Sequence, residues 1–214
     1  MKKINPQTII IIILILVIVF LIYNQWGGKI IAGLKYKFIK SGEKEKLAIG
    51  EVSAKLKIVE YYSYGCEYCK AFEEELKPQL IKNYVFGGKV RWVFRPLDPE
   101  LGMAVLCANE QGRFSDFHDA LFRNVGYIEK GEDLKALAKN LGLNENDFWK
   151  CYSSGKYETL VMGWYNNLMS DFSRYKIADE KRGTPAFLIG DEMITGLPSY
   201  NDFAAIIERQ LLKK

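Results

Sequence analysis

One stretch near residue 60 changes from a strand pattern to a helix pattern within a few residues, and it constrains the fold more than any other part of the chain. Residues 57–62 are mostly β-branched and aromatic, which is typical of a β-strand. Ser63 and Gly65 interrupt this pattern, and from Cys66 onward apolar residues recur at helical spacing. The sequence therefore predicts a strand, a tight turn and a helix whose first turn contains Cys66 and Cys69.

The position of the two cysteines predicts different chemistry for each thiol. Free backbone N–H groups and the positive end of the helix dipole stabilise a thiolate in a first helical turn, so we expect Cys66 to have a lowered pKa and to be the nucleophile. Cys69 lies one turn further into the helix, where it can close a disulfide with Cys66. A Cys-x-x-Cys pair that follows a strand and opens a helix is typical of a thioredoxin-like redox site.

Two cysteines at this spacing are also compatible with a structural disulfide or with half of a zinc site. The chain has four cysteines and one histidine, and the remaining candidates Cys107, Cys151 and His118 lack the spacing of zinc ligands. Redox chemistry is favoured because it alone requires the strand-to-helix context. We therefore predict no metal, and no cofactor other than the redox-active disulfide Cys66–Cys69.

The start of the chain predicts a membrane anchor. Residues 8–23 contain no charged residue, and this run is near the short end of what spans a bilayer as a helix. Tyr23 and Trp26 are typical of the interfacial belt at the end of such a span. A cleaved signal peptide is the alternative, but the chain offers only poor matches to a cleavage site. We predict a retained transmembrane anchor over residues 1–26, with the rest of the chain outside the cytoplasm.

Residues 27–54 mix lysine, glutamate and glycine, and we interpret them as a stalk. The formal net charge of the chain is only +4, and its excess lysines lie mostly in this segment. A charge this small gives no reason to expect a nucleic-acid partner. Lysines beyond the apolar run outnumber Lys2 and Lys3, against the positive-inside rule, so the predicted orientation depends on the cysteine chemistry.

The order of the remaining elements predicts one α/β domain over residues 55–214. Strands at 55–62 and 90–94 flank the cysteine-containing helix, which Pro78 bends or ends, and a connection of this length makes a right-handed βαβ unit with parallel strands. Residues 97–180 have helical periodicity throughout, which is too much helix for a crossover, so we interpret them as an inserted helical subdomain. A hairpin and a last helix complete the domain.

Three stretches of the chain resemble the DsbA-like thiol-disulfide oxidoreductases of bacterial envelopes. They are Val59–Cys69 with Phe72-Glu73, Asn109–Phe114 with Phe117–Phe122, and Gly183–Phe187. The resemblance covers roughly residue 55 to the C-terminus. It implies a thioredoxin-like α/β fold with an inserted helical subdomain, preceded here by the predicted transmembrane helix.

The resemblance also implies roles for residues outside the Cys-x-x-Cys pair. Pro185 is then a cis-proline packed beside the redox cysteines, and the backbone of Thr184 is available to bind an extended substrate. The sequence alone predicts only a proline that opens a strand. Glu60 occupies the position of an acidic residue beneath the active site of this group. Strand alternation gives it apolar neighbours, so we expect a buried carboxyl with a raised pKa that shuttles a proton for Cys69; an exposed edge-strand glutamate is the alternative.

Five further residues near apolar or aromatic stretches receive separate interpretations. Tyr64 and Tyr68 lie nearest the cysteines, and we predict that they form part of a substrate-binding surface. His118 lies in an apolar helical stripe and is interpreted as a packing histidine rather than a catalytic one. Cys107 and Cys151 each lie on an apolar helical face, so we predict a disulfide between two inserted helices, with two buried free thiols as the alternative.

The residues between the cysteines depart from the DsbA-like pattern. That group typically has Pro-His there, whereas this chain has Glu67-Tyr68. A histidinium favours the neighbouring thiolate and Glu67 opposes it, so we expect a redox potential away from the strongly oxidising extreme.

The function that the resemblance implies is disulfide exchange with unfolded, cysteine-containing envelope or secreted proteins. Oxidation is the expected direction, with a membrane redox partner that recycles the site. A disulfide reductase or isomerase is one alternative. A membrane-tethered binding module with a structural Cys66–Cys69 disulfide is another, from a different class of protein.

Overall fold

The computed structural model describes residues 45–128 and 131–213. The predicted anchor at residues 1–26 and most of the predicted stalk lie outside the described residues. Within the described ranges, no helix combines the length and the apolar character that crossing a bilayer requires.

Five strands form a single sheet in the described part of the chain. They are β1 (Ala48–Ile49), β2 (Leu56–Tyr62), β3 (Val90–Pro96), β4 (Ala186–Ile189) and β5 (Glu192–Thr195). Their order across the sheet is β1-β3-β2-β4-β5; β2 and β3 are parallel, and every other pair of neighbours is antiparallel. The parallel β2–β3 pair and the β4–β5 hairpin both agree with the prediction.

Helices lie between β2 and β3, between β3 and β4, and after β5. The α-helices are α1 (Glu67–Ala71), α2 (Lys77–Leu80), α3 (Pro99–Glu110), α4 (Phe114–Asn124), α5 (Gly131–Asn140), α6 (Glu145–Ser153), α7 (Glu158–Arg174) and α8 (Tyr200–Leu212). Short 3₁₀ turns at Val125–Tyr127 and Asp179–Lys181 follow α4 and α7. Helices α3 to α7 all lie between β3 and β4, so the predicted helical insertion is confirmed.

The helix that follows Cys66 continues past Pro78, although the sequence predicts a bend or an end there. A π-helical turn, Phe72–Leu76, follows α1 directly, and a second one, Ile81–Val85, follows α2. Proline has no N–H to donate, and its ring clashes with the carbonyl group one α-helical turn earlier. In the first π turn the N–H of Lys77 donates to the carbonyl oxygen of Phe72, five residues back. This wider turn lets the helix admit the proline instead of ending at it.

The domain begins earlier than the predicted boundary at residue 55. Strand β1 pairs with β3, and Leu47 just before it is buried. Glu45 accepts a hydrogen bond of 2.8 Å from Nε of Arg91 on β3. The sequence assigns residues 45–54 to the stalk, whereas the structure includes them in the domain. A strand of two residues is too short to show an alternating pattern, and its pairing partner lies more than 40 residues away.

The two faces of the sheet pack against different helices. On one face, four rings from the cysteine helix, the sheet and α8 pack together: Phe72, Trp92, Phe187 and Phe203. On the other face, Val59 and Tyr61 of β2 pack with α7. Because side chains alternate along a strand, Glu60 points to the same face as the cysteine helix.

A disulfide joins two helices of the insertion. Cys107 on α3 and Cys151 on α6 are bonded, with a Cα–Cα distance of 5.7 Å and a sequence separation of 44 residues. The structure thus forms the predicted bridge and does not leave two free thiols. Closing a loop of this size stabilises a fold by roughly 4 kcal/mol in the chain-entropy description.

Candidate active site

Cys66 occupies the N-cap position of α1. Its backbone is extended, with φ −91° and ψ 118°, and its Sγ accepts a hydrogen bond of 3.4 Å from the N–H of Cys69. This is the cap contact that a serine or aspartate oxygen makes at other helix starts. Cys66 is half-buried, so its sulfur remains reachable from solvent, while Cys69 is fully buried. Both are free thiols in this structure.

The loop before β4 lies directly beside Cys66. The Thr184-Pro185 peptide bond is cis, and the carbonyl oxygen of Thr184 lies 3.3 Å from Sγ of Cys66, whose thiol donates to it. The cis bond agrees with what the resemblance implies for Pro185, which also stands directly before β4, as the sequence alone predicts. Thr184 is half-buried, so part of its surface is open next to the sulfur.

The two thiols differ in acidity. Burial raises the pKa of Cys66, but hydrogen bonds with the side chains of Thr184 and Cys69 and from backbone N–H groups of the first helical turn outweigh this effect, so the pKa is lowered. For Cys69, burial and the hydrogen bond with Cys66 both act to raise the pKa. The accessible thiol is therefore the one that ionises more easily, and the buried thiol is suited to act second.

The turn before Cys66 is held by Asp98. Its Oδ1 accepts a hydrogen bond of 2.8 Å from Oγ of Ser63, and its Oδ2 accepts one of 2.9 Å from the N–H of Tyr64. Asp98 is the N-cap residue of α3, yet its side chain makes no cap hydrogen bond to that helix. The inserted helical region thus fixes the turn that carries the cysteine. No sequence pattern predicts this contact of Asp98 with the turn, because an aspartate that precedes a helix with proline at its first position normally caps that helix.

Glu60 is fully buried on β2, as the sequence predicts. Its Oε2 accepts a hydrogen bond of 2.7 Å from Nε1 of Trp92 and lies 2.7 Å from Nζ of Lys77. Burial raises the pKa of the Glu60 carboxyl more than Lys77 lowers it. Its Oε1 has no hydrogen-bond partner among the described residues. The carboxyl therefore has one oxygen free to carry a proton.

Lys77 connects Glu60 to a second buried carboxylate, and no sequence pattern predicts this role. Its Nζ pairs with Oε1 of Glu73 as well as with Glu60, and it lies 4.6 Å from the centre of the Phe94 ring. Burial alone would lower the pKa of Lys77, but the two carboxylates raise it. Burial would likewise raise the pKa of Glu73, but Lys77 and His118 lower it. Lys77 and Glu73 are therefore a charged pair inside the protein.

His118 extends this network from Glu73 to the turn before Cys66. Its Nε2 lies 3.0 Å from Oε1 of Glu73, and its Nδ1 lies 3.1 Å from the hydroxyl of Tyr62 and 2.9 Å from that of Tyr64. It is buried among aromatic rings, as expected for a packing histidine, but it is also hydrogen-bonded at both nitrogens. A separation of 45 residues from Glu73 leaves no sequence pattern that would reveal the contact.

The two tyrosines predicted for the substrate surface differ in exposure. Tyr68, between the cysteines, is 63% exposed and stands on the rim of the site. Tyr64 is only 1% exposed, because its ring packs against His118 and Phe122. It therefore supports the turn from inside rather than forming open surface.

The sequence matches the profile of a thioredoxin family over residues 42–209. The chain therefore belongs to the thioredoxin family. It is 25% identical over 178 residues to disulfide bond formation protein D of Bacillus subtilis, covering 78% of this chain and 77% of that protein. It is also 21% identical over 179 residues to a protein of Rickettsia bellii that is named as a candidate protein-disulfide oxidoreductase. The match covers 79% of this chain and 66% of that protein. Across three Rickettsia relatives, the chain spans 54% to 66% of their length.

Solved structures share the fold. The oxidised form of BdbD from Bacillus subtilis superposes with a TM-score of 0.65 at 20% identity, covering 81% of this chain and 97% of that chain. The α-DsbA1 protein of Wolbachia pipientis superposes with a TM-score of 0.63 at 18% identity, covering 84% and 96%. The thioredoxin-like fold with a helical insertion is therefore common to these proteins.

The buried charge network predicts a large effect of removing its cation. Lys77→Met removes the buried cation that Glu60 and Glu73 share and leaves Glu73 in contact with His118 alone, so we expect the free energy of unfolding at neutral pH to fall by about 3–5 kcal/mol. The deficit should shrink as the pH falls, because protonation of a buried carboxylate removes the charge that Lys77 no longer compensates. Urea denaturation of both proteins at several pH values measures this.

The matched control is Lys82→Met, which changes an exposed lysine of the same helical stretch and should alter stability by less than about 0.5 kcal/mol. Adding Glu60→Gln to Lys77→Met should restore part of the loss. A loss for Lys77→Met no larger than that of the control would contradict the electrostatic role of Lys77.

Proposed function

We propose that the protein is a thiol-disulfide oxidoreductase that exchanges disulfides with cysteine-containing proteins through Cys66 and Cys69. The observation that carries the proposal is the combination of an accessible thiol with a lowered pKa and a buried thiol with a raised pKa in one helical turn. Membership of the thioredoxin family and the names of the relatives support it.

In the oxidising direction, exchange begins from the Cys66–Cys69 disulfide. A substrate thiolate attacks Sγ of Cys66, the bond between the two cysteines breaks, and Cys69 leaves as a thiolate that takes up a proton. A second substrate thiolate then attacks the substrate sulfur of the mixed disulfide, which forms the substrate disulfide and releases the Cys66 thiolate. The cysteine pair gains the two electrons that the substrate loses.

Three groups around the thiols support this reaction. Glu60, with a raised pKa and a free Oε1, supplies and recovers the proton of Cys69. The backbone of Thr184 and Pro185 holds an extended substrate as an added strand beside Cys66. The exposed ring of Tyr68 offers apolar surface next to the bound segment.

Single cysteine variants test the assignment of roles. Cys69→Ala keeps the acidic, accessible thiol but lacks a resolving partner, so mixed disulfides with other proteins should accumulate in cells and disappear on reduction. Cys66→Ala keeps only the buried thiol of raised pKa, so it should form few or no adducts. Non-reducing electrophoresis of both variants measures the outcome. Equal adducts from the two would reject these roles, and adducts from neither would favour a binding module with a structural disulfide.

We further propose that the protein acts as an oxidant, because a lowered pKa of Cys66 stabilises the reduced form of the pair. Glu67 opposes the thiolate beside it. Glu67→His should therefore lower the pKa of Cys66 further and make the potential more oxidising, with Glu67→Gln as the matched control that should shift it less. Equilibration against glutathione buffers measures all three proteins. A wild-type potential in the reducing range would favour the reductase alternative, and an unchanged potential in Glu67→His would show that local charge does not set it.

The proposed setting is the outer face of a membrane, with residues 1–26 as the anchor. The uncharged run 8–23 and the disulfide Cys107–Cys151 support it, since such bonds persist in oxidising compartments. Partners there would be unfolded envelope or secreted proteins, and a membrane redox protein that recycles the site.

A tag at the C-terminus tests this topology. We expect a membrane-impermeant reagent to label the tag on intact cells and the protein to stay in the membrane fraction after an alkaline wash. A cytoplasmic protein with the same tag is the control, which should be labelled only after permeabilisation. If the C-terminal tag behaved like this control, the proposed orientation would be wrong.

A further inference from the structure

A groove with a volume of about 400 Å³ opens beside Cys66. One wall is formed by the turn before α1 and by α1 itself, and the other by the end of α4 and the 3₁₀ turn that follows it. Neither Thr184 nor Pro185 lines the groove. Cys66 therefore has two different surfaces next to it, the Thr184 carbonyl and this groove.

Two cations face the groove from its opposite walls. Lys70 belongs to α1 and is half-buried, and Arg123 belongs to α4 and is exposed. Neither forms an ion pair with any residue in the ranges 45–128 and 131–213, although Asp119, one turn earlier on α4, lies within the electrostatic influence of Arg123. Glu67 is the one acidic side chain among the residues that line the groove. The lining therefore carries an excess of positive charge.

The rest of the lining is apolar or leaves space. Phe122 is buried and contributes a ring to the wall, while Tyr127 is 84% exposed at the outer edge. Gly126 lies between them in sequence, and a Cβ atom placed there would meet nothing within 4 Å. A peptide segment of a few residues can therefore enter and lie against aromatic surface.

We propose that this groove binds the substrate polypeptide on one side of its reactive cysteine, and that it selects segments with an acidic side chain next to that cysteine. The inference rests on the proposed function and adds a substrate preference to it. A substrate polypeptide bonded to Cys66 through its own cysteine has a segment on each side of that cysteine. When one segment pairs with the Thr184 backbone, the other segment reaches the groove. A carboxylate of the substrate between Lys70 and Arg123 accepts charge-assisted hydrogen bonds from these two cations. No acidic residue of the described chain forms such an ion pair with either of them.

The test uses the full-length oxidised protein in detergent and three peptides with a single cysteine. The peptides differ only in the residue next to that cysteine, which is Glu, Gln or Lys, and the measurement is the second-order rate constant for reduction of the Cys66–Cys69 disulfide. Neighbouring charge also changes the intrinsic reactivity of a thiol, so each rate is divided by the rate of the same peptide with a low-molecular-weight disulfide. We expect the corrected rate for Glu to exceed that for Lys by roughly fivefold, with Gln between them. High salt should reduce this ratio.

Variants of the two cations identify the source of the preference. Lys70→Gln and Arg123→Gln should each reduce the Glu-to-Lys ratio, and the double variant should bring it close to one. Lys82→Gln, which removes an exposed lysine away from the groove, should keep the wild-type ratio. Equal corrected rates for the three peptides in the wild type, or an unchanged ratio in the double variant, would overturn the inference. Failure of every peptide to react would instead count against the proposed function.

Discussion

The ammonium group of Lys77, buried between Glu60 and Glu73, is the interaction on which the arrangement of the site depends. A buried ion pair gives little net stability, because removing its charges from water costs about as much as their attraction returns. The pair nevertheless constrains the structure strongly, since each partner left alone would be an uncompensated buried charge. It links β2 to the cysteine helix, and through His118 it links both to α4. With two carboxylates and one ammonium, the cluster is closest to neutral when one carboxyl holds a proton, and the raised pKa of Glu60 identifies that carboxyl.

The position of Lys77 follows from the way in which the helix passes Pro78. Glu73 and Lys77 are four residues apart, a spacing that on an exposed helix face gives a weak surface pair. A helix that ended at Lys77 would leave this side chain at a solvated terminus. Because a π turn admits the proline, the helix continues to Val85, and Lys77 lies within a helix that packs against the sheet. The local irregularity therefore converts an ordinary surface pair into a buried one.

The sequence predicted the parts of the structure that depend on local patterns. The strand-to-helix change at Cys66 and the helical insertion are such parts, and the Cys107–Cys151 bridge could be inferred from two cysteines on apolar faces. The cis Thr184-Pro185 bond was reached only through resemblance, because a proline before a strand has no local sign of its isomer. Contacts between distant residues were missed: the two-residue strand β1, and the use of Asp98 and His118 to support the turn. The local sequence around Asp98 predicts a helix cap and that around His118 predicts a packing residue. Their hydrogen bonds to the turn depend on contacts that only the folded chain brings together.

The chemistry of Cys66 depends on both parts of the domain at once. The thioredoxin core supplies the helix start and the side chain of Thr184, and their hydrogen bonds lower the pKa of the thiol. The helical insertion supplies Asp98, which holds the turn, and His118, which packs and hydrogen-bonds Tyr64 from inside. A displacement of the insertion would therefore move the backbone two residues before Cys66. This coupling gives the insertion a role beyond covering one face of the sheet, because its contacts also fix the turn that carries the thiol.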